Sequence, residues 1–305
     1  MNYTLHQLKV FLKIVEFQSI TRASDALHLT QPAVSIQLKR LQDQFEIPLT
    51  EVIGRQLYVT DFGLQIAQVS RNILKEAEAI KTTVDQYNGL LTGKISVSVV
   101  STGKYIIPYF LQGFMEKYPG VEMTVDVSNR DKVIESLSNN ESDFALVSLL
   151  PESIAINKLE LMPNRLFMVG SSRLHHRKVT AESLKNETLI FREKGSATRK
   201  AMEAFLDEHD IQSNKSMELV SNEAVKQAVL AGIGFSIMPL IGLRNELANE
   251  SLTIFPMKGL PKTTNWNLIY DKRKNLSPAS SELINYINVQ KQAVVAEYFD
   301  FQSMY

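Results

Sequence analysis

"TRASDALHLTQPAVSIQLKRLQ", residues 21–42, contains two short helical patterns separated by a tight turn. In the second pattern Val34, Leu38 and Leu41 recur at the spacing of one buried helical face, and Phe45 continues it one turn later. Ile36 lies on the opposite side of the helical wheel. An apolar side chain on the exposed side of so small a unit predicts contact with a second molecule.

The helix ends in this region carry local capping signals. Thr4 and Gln7 have the spacing of a capping box at the start of a first helix. Thr30 is a suitable N-cap for the third helix, and Pro32 lies in its first turn, where a missing amide proton costs nothing. Three helices are therefore expected before about residue 45.

A short hairpin is expected after the third helix. Residues 47–63, IPLTEVIGRQLYVTDFG, contain two β-type segments separated by Gly54 and Arg55. The pattern predicts a wing with these two residues at its tip. We assign residues 1–61 to a first domain of three helices and a wing.

A helical pattern without proline then runs from Phe62 to about Leu91. At 1.5 Å per residue it would be roughly 40 Å long, too long to be covered by a small neighbour alone. Its apolar spacing is close to a heptad repeat, which favours a dimerisation helix; a helix lying across the C-terminal domain of its own chain is the alternative. We assign residues 62–92 to this linker helix. The predicted seam comprises Ile66, Val69, Ile73, Ala77, Ile80, Val84 and Tyr87.

Short apolar strands alternate with helical stretches after Gly93, which predicts βαβ units around a parallel sheet. The pattern begins again after Pro151, so we expect two α/β lobes with a cleft between them. Residues 93–305 form this domain, with lobe I at about 93–163 and 266–305 and lobe II at about 164–265. Predicted strands are 94–100, 121–127, 143–148, 165–170, 188–192, 216–220, 234–238 and 265–271, and predicted helices are 104–118, 130–139, 197–209, 222–231, 239–247 and a last one from about 278.

Composition excludes several classes of function. The chain has 305 residues, no cysteine and a net charge of zero, and residues 1–92 carry nine basic and nine acidic side chains. DNA affinity would therefore depend on a local arrangement of side chains and not on a basic domain. Disulfides and thiolate metal sites are excluded, and the five histidines have no ligand-like spacing, so neither a metal nor a cofactor is expected. Without a membrane-length apolar run or a signal peptide, a cytoplasmic location is expected.

The helix-turn-helix stretch, the hairpin, the long helix and the two lobes together resemble a LysR-type transcriptional regulator. The most specific motif is ASDALHLTQPAVS, residues 23–35. The resemblance covers essentially the whole chain. It implies a multidomain bacterial protein with an all-α-rich winged helix-turn-helix domain, a long linker helix that pairs two subunits, and a two-lobed α/β periplasmic-binding-protein-like effector domain, often within a tetramer.

Three segments of the C-terminal part resemble the branch of this family that contains regulators of carbon-fixation operons. They are residues 99–122, 127–137 and 192–205. The resemblance implies phosphorylated effectors. In the wing, Thr50 and Val52 stand where the family commonly has Phe and Arg, so weaker wing packing and one phosphate contact fewer are expected.

The exposed face of the third helix has the chemistry of a DNA-reading surface. Ser35 can donate to a base or a phosphate, and the apolar surfaces of Ile36 and Pro32 can contact a thymine methyl group. Lys39 and Arg40 can contact phosphate or guanine, or can merely keep a helix face solvated. The combined motif favours the DNA contact. Candidates are Thr30, Gln31, Pro32, Ser35, Ile36, Lys39 and Arg40, with Arg55 on the wing.

Three loops lie at equivalent topological positions in the lobes, each at or directly before the start of a predicted helix. They are residues 101–103, 195–199 and 221–223. Such loops face the ligand cleft, and helix N-termini can hold an anion. Each hydroxyl can equally be a plain N-cap and each cation a surface charge, but the recurrence favours a cleft for an anionic metabolite such as an organic acid or a sugar phosphate. Candidates are Ser101, Thr102, Asn129, Ser196, Thr198 and Asn222, with Lys104, Arg130, Arg192 and Arg199 as charge partners.

Two other classes of protein share parts of this pattern. A solute-binding transport protein has the same two-lobed architecture, but the helix-turn-helix weighs against it. An enzyme is disfavoured because neither G-x-S-x-G nor G-x-x-x-x-G-K-[ST] occurs. We expect a sequence-specific DNA-binding regulator, a homodimer or homotetramer without membrane contact. Its expected partners are double-stranded operator DNA, a small anionic effector and, if it is an activator, RNA polymerase.

Overall fold

The computed structural model describes residues 2–54, 56–87, 90–174 and 179–305, with only the backbone of the long helix at 81–83 and 85–87. The chain divides into two compact units. The first is Met1–Gly93 with Asn139–Glu141, and the second is Lys94–Ser138 with Ser142–Tyr305. Within the described ranges, no helix has the length and apolar character that crossing a membrane requires.

The N-terminal unit consists of four helices and a two-stranded antiparallel wing. Both bonds of the capping box predicted at Thr4 and Gln7 are present, and the hydroxyl of Thr30 accepts from the amide of Ala33 at 3.4 Å. The third helix ends three residues earlier than predicted. The elements are α1 (Leu5–Phe17), α2 (Ile20–Leu27), α3 (Gln31–Gln42), β1 (Thr50–Ile53), β2 (Gln56–Val59) and α4 (Asp61–Tyr87).

The core of this unit joins α1, α3 and the start of α4. Phe11, Ile14, Val34 and Leu41 are fully buried in it, as the helical periodicity predicts. Gly63 lets α4 approach the wing closely, because a Cβ atom there would lie 2.1 Å from the carbonyl oxygen of Leu49. The start of α4 is thus fixed directly against the wing.

The C-terminal unit is a two-lobed α/β structure, in agreement with the predicted fold class. One sheet has the strand order β10-β6-β11-β5-β3-β4, with β9 also paired to β6, and β7 and β8 form a second, parallel pair. The elements are β3 (Gly93–Val100), α5 (Ile107–Lys117), β4 (Val121–Ser128), α6 (Arg130–Ser138), β5 (Phe144–Val147), β6 (Ile156–Ser171), α7 (Ala181–Leu184), β7 (Thr188–Arg192), α8 (Ala197–Glu208), β8 (Lys215–Leu219), α9 (Asn222–Leu230), β9 (Ser236–Pro239), α10 (Arg244–Ala248), β10 (Leu252–Ile254), β11 (Lys262–Asp271) and α11 (Pro278–Tyr298).

Three sequence predictions for this unit are wrong. The large sheet is mixed: β3 and β5 are parallel, whereas β11 is antiparallel to both β5 and β6. Strand β6 begins at Ile156, nine residues before the predicted start, and contains Pro163. The helix predicted near 239–247 is a 3₁₀ turn, Leu240–Gly242, followed by the short α10.

Candidate DNA interface and effector cleft

The outer face of α3 presents the predicted DNA-reading residues. Ile36 is 50% exposed, and Lys39 and Arg40 are also exposed in the last two turns of the helix, whereas Ser35 is half-buried. Neither cation forms a salt bridge within the described part of the chain. Thr30, Gln31 and Pro32 lie exposed at the helix start.

This face can supply the contacts that base recognition requires. An α-helix fits the major groove, where apolar atoms contact thymine methyl groups and cations contact guanine or phosphate. The face of α3 carries both kinds of group and a hydroxyl. Arg55, the predicted contact on the wing, lies outside the described residues.

The predicted seam of α4 divides between two environments. Ile66 and Ile73 pack against the core of the N-terminal unit. Val69, Ile80 and Val84 are 53%, 69% and 57% exposed. The first turns of α4 therefore complete a core within the chain, and exposed apolar side chains continue toward its C-terminal end. Ala77 is half-buried, and the side chain of Tyr87 lies outside the description.

Most of the predicted effector-binding residues lie around one cavity between the two lobes. The free space inside it, counted together with solvent at its open mouth, is about 360 Å³, and about 20 Å³ of this can hold the centre of a water molecule. Loops that follow β3, β4, β5 and β7 converge here, as expected at the carboxyl ends of strands. The predicted residues in its lining are Ser101, Thr102, Asn129, Arg130, Arg192, Ser196 and Thr198.

Two of these residues are not plain helix caps. Ser196 is the N-cap residue of α8, and Thr102 precedes the 3₁₀ turn Gly103–Tyr105, but neither side chain makes a capping hydrogen bond. Asn129, in contrast, caps α6, because its side-chain oxygen accepts from the amide of Lys132 at 3.0 Å. The hydroxyls of Ser196 and Thr102 thus lie in the cavity lining without a capping role.

Arg192 is the main positive group of the cavity. Its side chain is only 4% exposed at the end of β7. Nη2 donates to the Ser101 hydroxyl at 3.0 Å, and Nε and Nη2 donate to the two carboxylate oxygens of Glu193 at 2.7 and 2.8 Å. Since Ser101 belongs to lobe I, Arg192 bridges the lobes at the cavity. Arg130, from lobe I, donates to the carbonyl of Leu150 at 3.3 Å.

Three predicted residues do not line the cavity. Lys104 is exposed, with its ammonium 5.0 Å from the ring centroid of Tyr105. Arg199 is bound by Glu203 and Glu218, and these hydrogen bonds raise its pKa. Its guanidinium also donates to the carbonyl of Arg192 at 2.8 Å, so it stabilises the end of β7.

Asn222, the third of them, is buried at the start of α9, next to a second polar cluster. There the Tyr105 hydroxyl donates to Glu223 at 3.1 Å, which joins lobe I to lobe II. Lys226 lies 2.8 Å from Glu246 and 3.2 Å from Glu223. Burial alone would lower the pKa of Lys226, but its hydrogen bonds to the two carboxylates outweigh this and raise it.

Sequence reasoning missed some residues of the lining. Ser148 follows β5 at the same edge as Ser101 and Asn129, so the rule that predicted those loops could have found it. Glu193 gives no such signal, because consecutive strand residues normally point to opposite faces. The remaining additions, Val100, Val147, Leu149 and Ala197, are apolar.

These features define a class of protein, the helix-turn-helix regulators with an α/β ligand-binding domain. Two family models match the chain: "Bacterial regulatory helix-turn-helix protein, lysR family" over residues 5–64, and "LysR substrate binding domain" over residues 88–290. The second alone spans more than half of the chain. The chain belongs to the LysR family of transcriptional regulators.

Similar proteins agree with the predicted branch. The HTH-type transcriptional activator CmpR of Synechocystis sp. is 36% identical over 302 residues, which cover 98% of this chain and 99% of CmpR. The RuBisCO operon transcriptional regulator of Allochromatium vinosum is 32% identical over 290 residues, covering 94% and 96%. The resemblance to regulators of carbon-fixation operons is confirmed, and the chain is a regulator and not an enzyme.

A solved structure matches the C-terminal part. The regulatory domain of CcmR from Synechocystis PCC6803, in complex with 2-PG, superposes with a TM-score of 0.62 and 31% identity. The match covers 66% of this chain and 98% of that domain. CcmR thus provides a related fold with 2-PG bound.

Proposed function

We propose that this LysR-type regulator senses a small multivalent anion of the 2-PG type in the cavity between its lobes. The observation that carries the proposal is the convergence of two guanidinium groups and several hydroxyls on one cavity at the carboxyl ends of strands. Arg192 and Arg130 supply the positive charge. The complex of the related CcmR domain with 2-PG supports the same class of ligand.

The effector acts on DNA binding through a shift between two states of the regulator. A ligand that contacts both lobes favours the state in which they are close together, and it shifts the equilibrium only by its difference in affinity for the two states. We infer that this shift changes how α3 of each subunit engages the operator. A dimer would place its recognition helices on half-sites separated by about one helical turn or a multiple of it.

The exposed apolar part of α4 pairs two subunits as a homodimer, which can assemble further into a homotetramer. The regulator works in the cytoplasm, and it contacts RNA polymerase if it is an activator.

The experiment is thermal unfolding of the full chain with and without 2-PG. Saturation at about 100 times Kd stabilises a protein by about 2.7 kcal/mol, so the melting temperature of the wild type should rise clearly. Arg192→Gln should lose most of this rise, because a buried charged hydrogen-bond donor is removed. The control is Lys104→Gln, outside the cavity, which should keep it.

DNase footprinting gives a second readout. We expect 2-PG to change the length of the footprint of the wild type and of Lys104→Gln, but not that of Arg192→Gln. An Arg192→Gln protein that keeps both responses would overturn the proposed site. A wild type without either response would overturn the proposed ligand class.

A further inference from the structure

Glu193 places a carboxylate inside the cavity proposed for an anion. Its two oxygens accept from Nε and Nη2 of Arg192 at 2.7 and 2.8 Å, and the side chains of the pair are 16% and 4% exposed. Both residues belong to the cavity lining. The buried guanidinium of Arg192 therefore already has a counter-anion from its own chain.

The chain after β7 is shaped to hold this pair. Arg192 is the last residue of the strand, so the alternation of side chains ends there and Glu193 can turn back toward it. The amide of Ser196 donates to the carbonyl of Glu193 at 3.3 Å, and Gly195 has a φ of +88°, which favours glycine. A Cβ atom at Gly195 would lie 3.2 Å from a carboxylate oxygen of Asp131.

Glu193 occupies the Nε–Nη2 edge of the Arg192 guanidinium, which is the edge best suited to binding an anion. Nε and Nη2 form an edge with two parallel N–H groups, which matches a carboxylate or phosphate in a bidentate pair. An entering anion can use that edge only if Glu193 leaves it. Other donors in the cavity lining include the hydroxyls of Ser101, Thr102 and Ser196.

We propose that Glu193 is a tethered competitor that sets the affinity threshold of the effector site. This inference rests on the proposed anion site. A carboxylate tethered one residue away has an effective concentration on the order of millimolar or higher. An anion that offers only one contact group displaces it only at high concentration, whereas an anion that also reaches Arg130 and the hydroxyls displaces it at low concentration. Glu193 thus weakens the binding of every anion by a similar factor, so that only multidentate anions bind tightly.

The net charge of the cavity lining also indicates that Glu193 weakens anion binding. Two guanidinium groups and one carboxylate leave the cavity lining with one net positive charge. Replacing Glu193 by Gln keeps the size of the side chain and raises this charge to two. Any anion that uses Arg192 should then bind more tightly, because it no longer competes with a charged group.

The test is calorimetric titration of the full-length wild type, Glu193→Gln and Glu203→Gln with inorganic phosphate, 2-PG and the neutral probe glycerol. Glu203 is a matched control, because it pairs with Arg199 outside the cavity. We expect Glu193→Gln to bind phosphate and 2-PG about tenfold more tightly, as for one hydrogen bond to a charged group, with glycerol unchanged. Glu203→Gln should bind all three like the wild type.

Unchanged or weaker anion binding by Glu193→Gln would overturn the proposal, since Glu193 would then only orient Arg192. If that variant does not fold, Glu193→Asp keeps the charge but shortens the side chain, and it should bind phosphate more tightly than the wild type; equal or weaker binding also overturns the proposal. If Glu193→Gln or Glu193→Asp gives such a result but Arg192→Gln abolishes binding of 2-PG, the proposed anion site still stands. If the proposed function itself is wrong, the wild type does not bind 2-PG at all.

Discussion

Neighbouring residues of α3 have separate tasks because the helical repeat turns them to opposite sides. Val34 and Leu41 are fully buried and hold the helix in the unit, whereas Ile36 and Lys39 lie between them in sequence and are exposed. Substitutions on the two faces should therefore have different effects. One face determines stability and the other determines DNA binding.

Replacing Ser35 and Lys39 together by Ala should abolish specific operator binding and leave the protein folded. The double variant loses a hydroxyl donor and a cation that can contact bases or phosphate, but it removes no buried apolar group. Gel-shift titration at a fixed salt concentration measures the loss, with the melting temperature as the check on folding. Unchanged operator affinity would refute the assignment of α3 as the reading helix.

The control variant for that experiment is Leu41→Ala. Because Leu41 is fully buried, this change should cost about 2–5 kcal/mol of stability through the lost contacts and the cavity left behind. Its DNA binding should fail only where the protein unfolds. The pair of variants separates recognition from folding.

Contacts between residues at a fixed helical spacing could be predicted from the sequence. Contacts that depend on a turn of the chain could not. The capping box of Thr4 and Gln7 depends on residues three apart, so the sequence alone predicts it, and both of its bonds are present. The pair of Arg192 and Glu193 depends on the chain turning after β7. Spacing along the chain does not reveal that turn.

At the scale of elements, α4 has more apolar surface than its own unit covers. Ile66 and Ile73 are used in the core, but Val69, Ile80 and Val84 remain exposed along the helix. Exposed apolar residues at nearly heptad spacing are typical of a helix that pairs with a second helix. A second copy of this chain is the partner we propose.

Ile80→Glu should shift the protein toward monomers. A charged side chain in a helix–helix seam loses apolar burial and is desolvated without a partner, so we expect the dimer Kd to rise about tenfold or more. Sedimentation velocity over a range of concentrations measures it. Glu78→Ala is the matched control, on the opposite side of the same helix, and should behave like the wild type; if Ile80→Glu does so too, the seam is elsewhere.

Strand β6 shows why long elements are harder to predict than short ones. Pro163 and the polar residues around it are typical of a loop or a strand edge. In the folded protein, pairing with β11 extends the strand past this proline, with an irregular register between Trp266 and Asn267. The partner strand is about 100 residues away in sequence, so no local pattern could have predicted the pairing.

At the scale of the effector unit, topology predicted the cavity better than charge did. Loops at the carboxyl ends of strands supplied seven of its lining residues, as the strand–helix order implies. Of the four predicted cations, only Arg130 and Arg192 line it. The direction of a long cationic side chain depends on its partners, such as Glu203 and Glu218 for Arg199, and the sequence does not identify those partners.

Hydrogen bonds of Arg192 with Ser101 and of Tyr105 with Glu223 join the lobes of this unit, and the second should give stability a measurable pH dependence. The Tyr105 hydroxyl donates to Glu223, which also accepts from Gln227 and Lys226. Burial tends to raise the pKa of Glu223, but the hydrogen bonds outweigh it and hold the pKa below the ordinary value of 4.5. The ionised carboxylate is therefore favoured in the folded state.

The lowered pKa of Glu223 determines how stability changes with pH. A lowered pKa in the folded state stabilises the protein above the ordinary pKa, and this stabilisation is lost as the pH falls through the folded-state value. Since Glu223 is 43% exposed, solvent screening limits the effect to less than about 1 kcal/mol. Glu223→Gln should thus melt slightly below the wild type at pH 7, with a difference that shrinks as the pH falls below about 4.5.

Calorimetric melting of both proteins between pH 7 and pH 3.5 measures this difference. Glu116→Gln, on the exposed side of α5, is the control and should show no such trend. Tyr105→Phe adds a further test, because it removes the donor from lobe I and leaves the carboxylate charged. If Tyr105→Phe keeps the melting temperature and the 2-PG affinity of the wild type, the contact does not hold the lobes together.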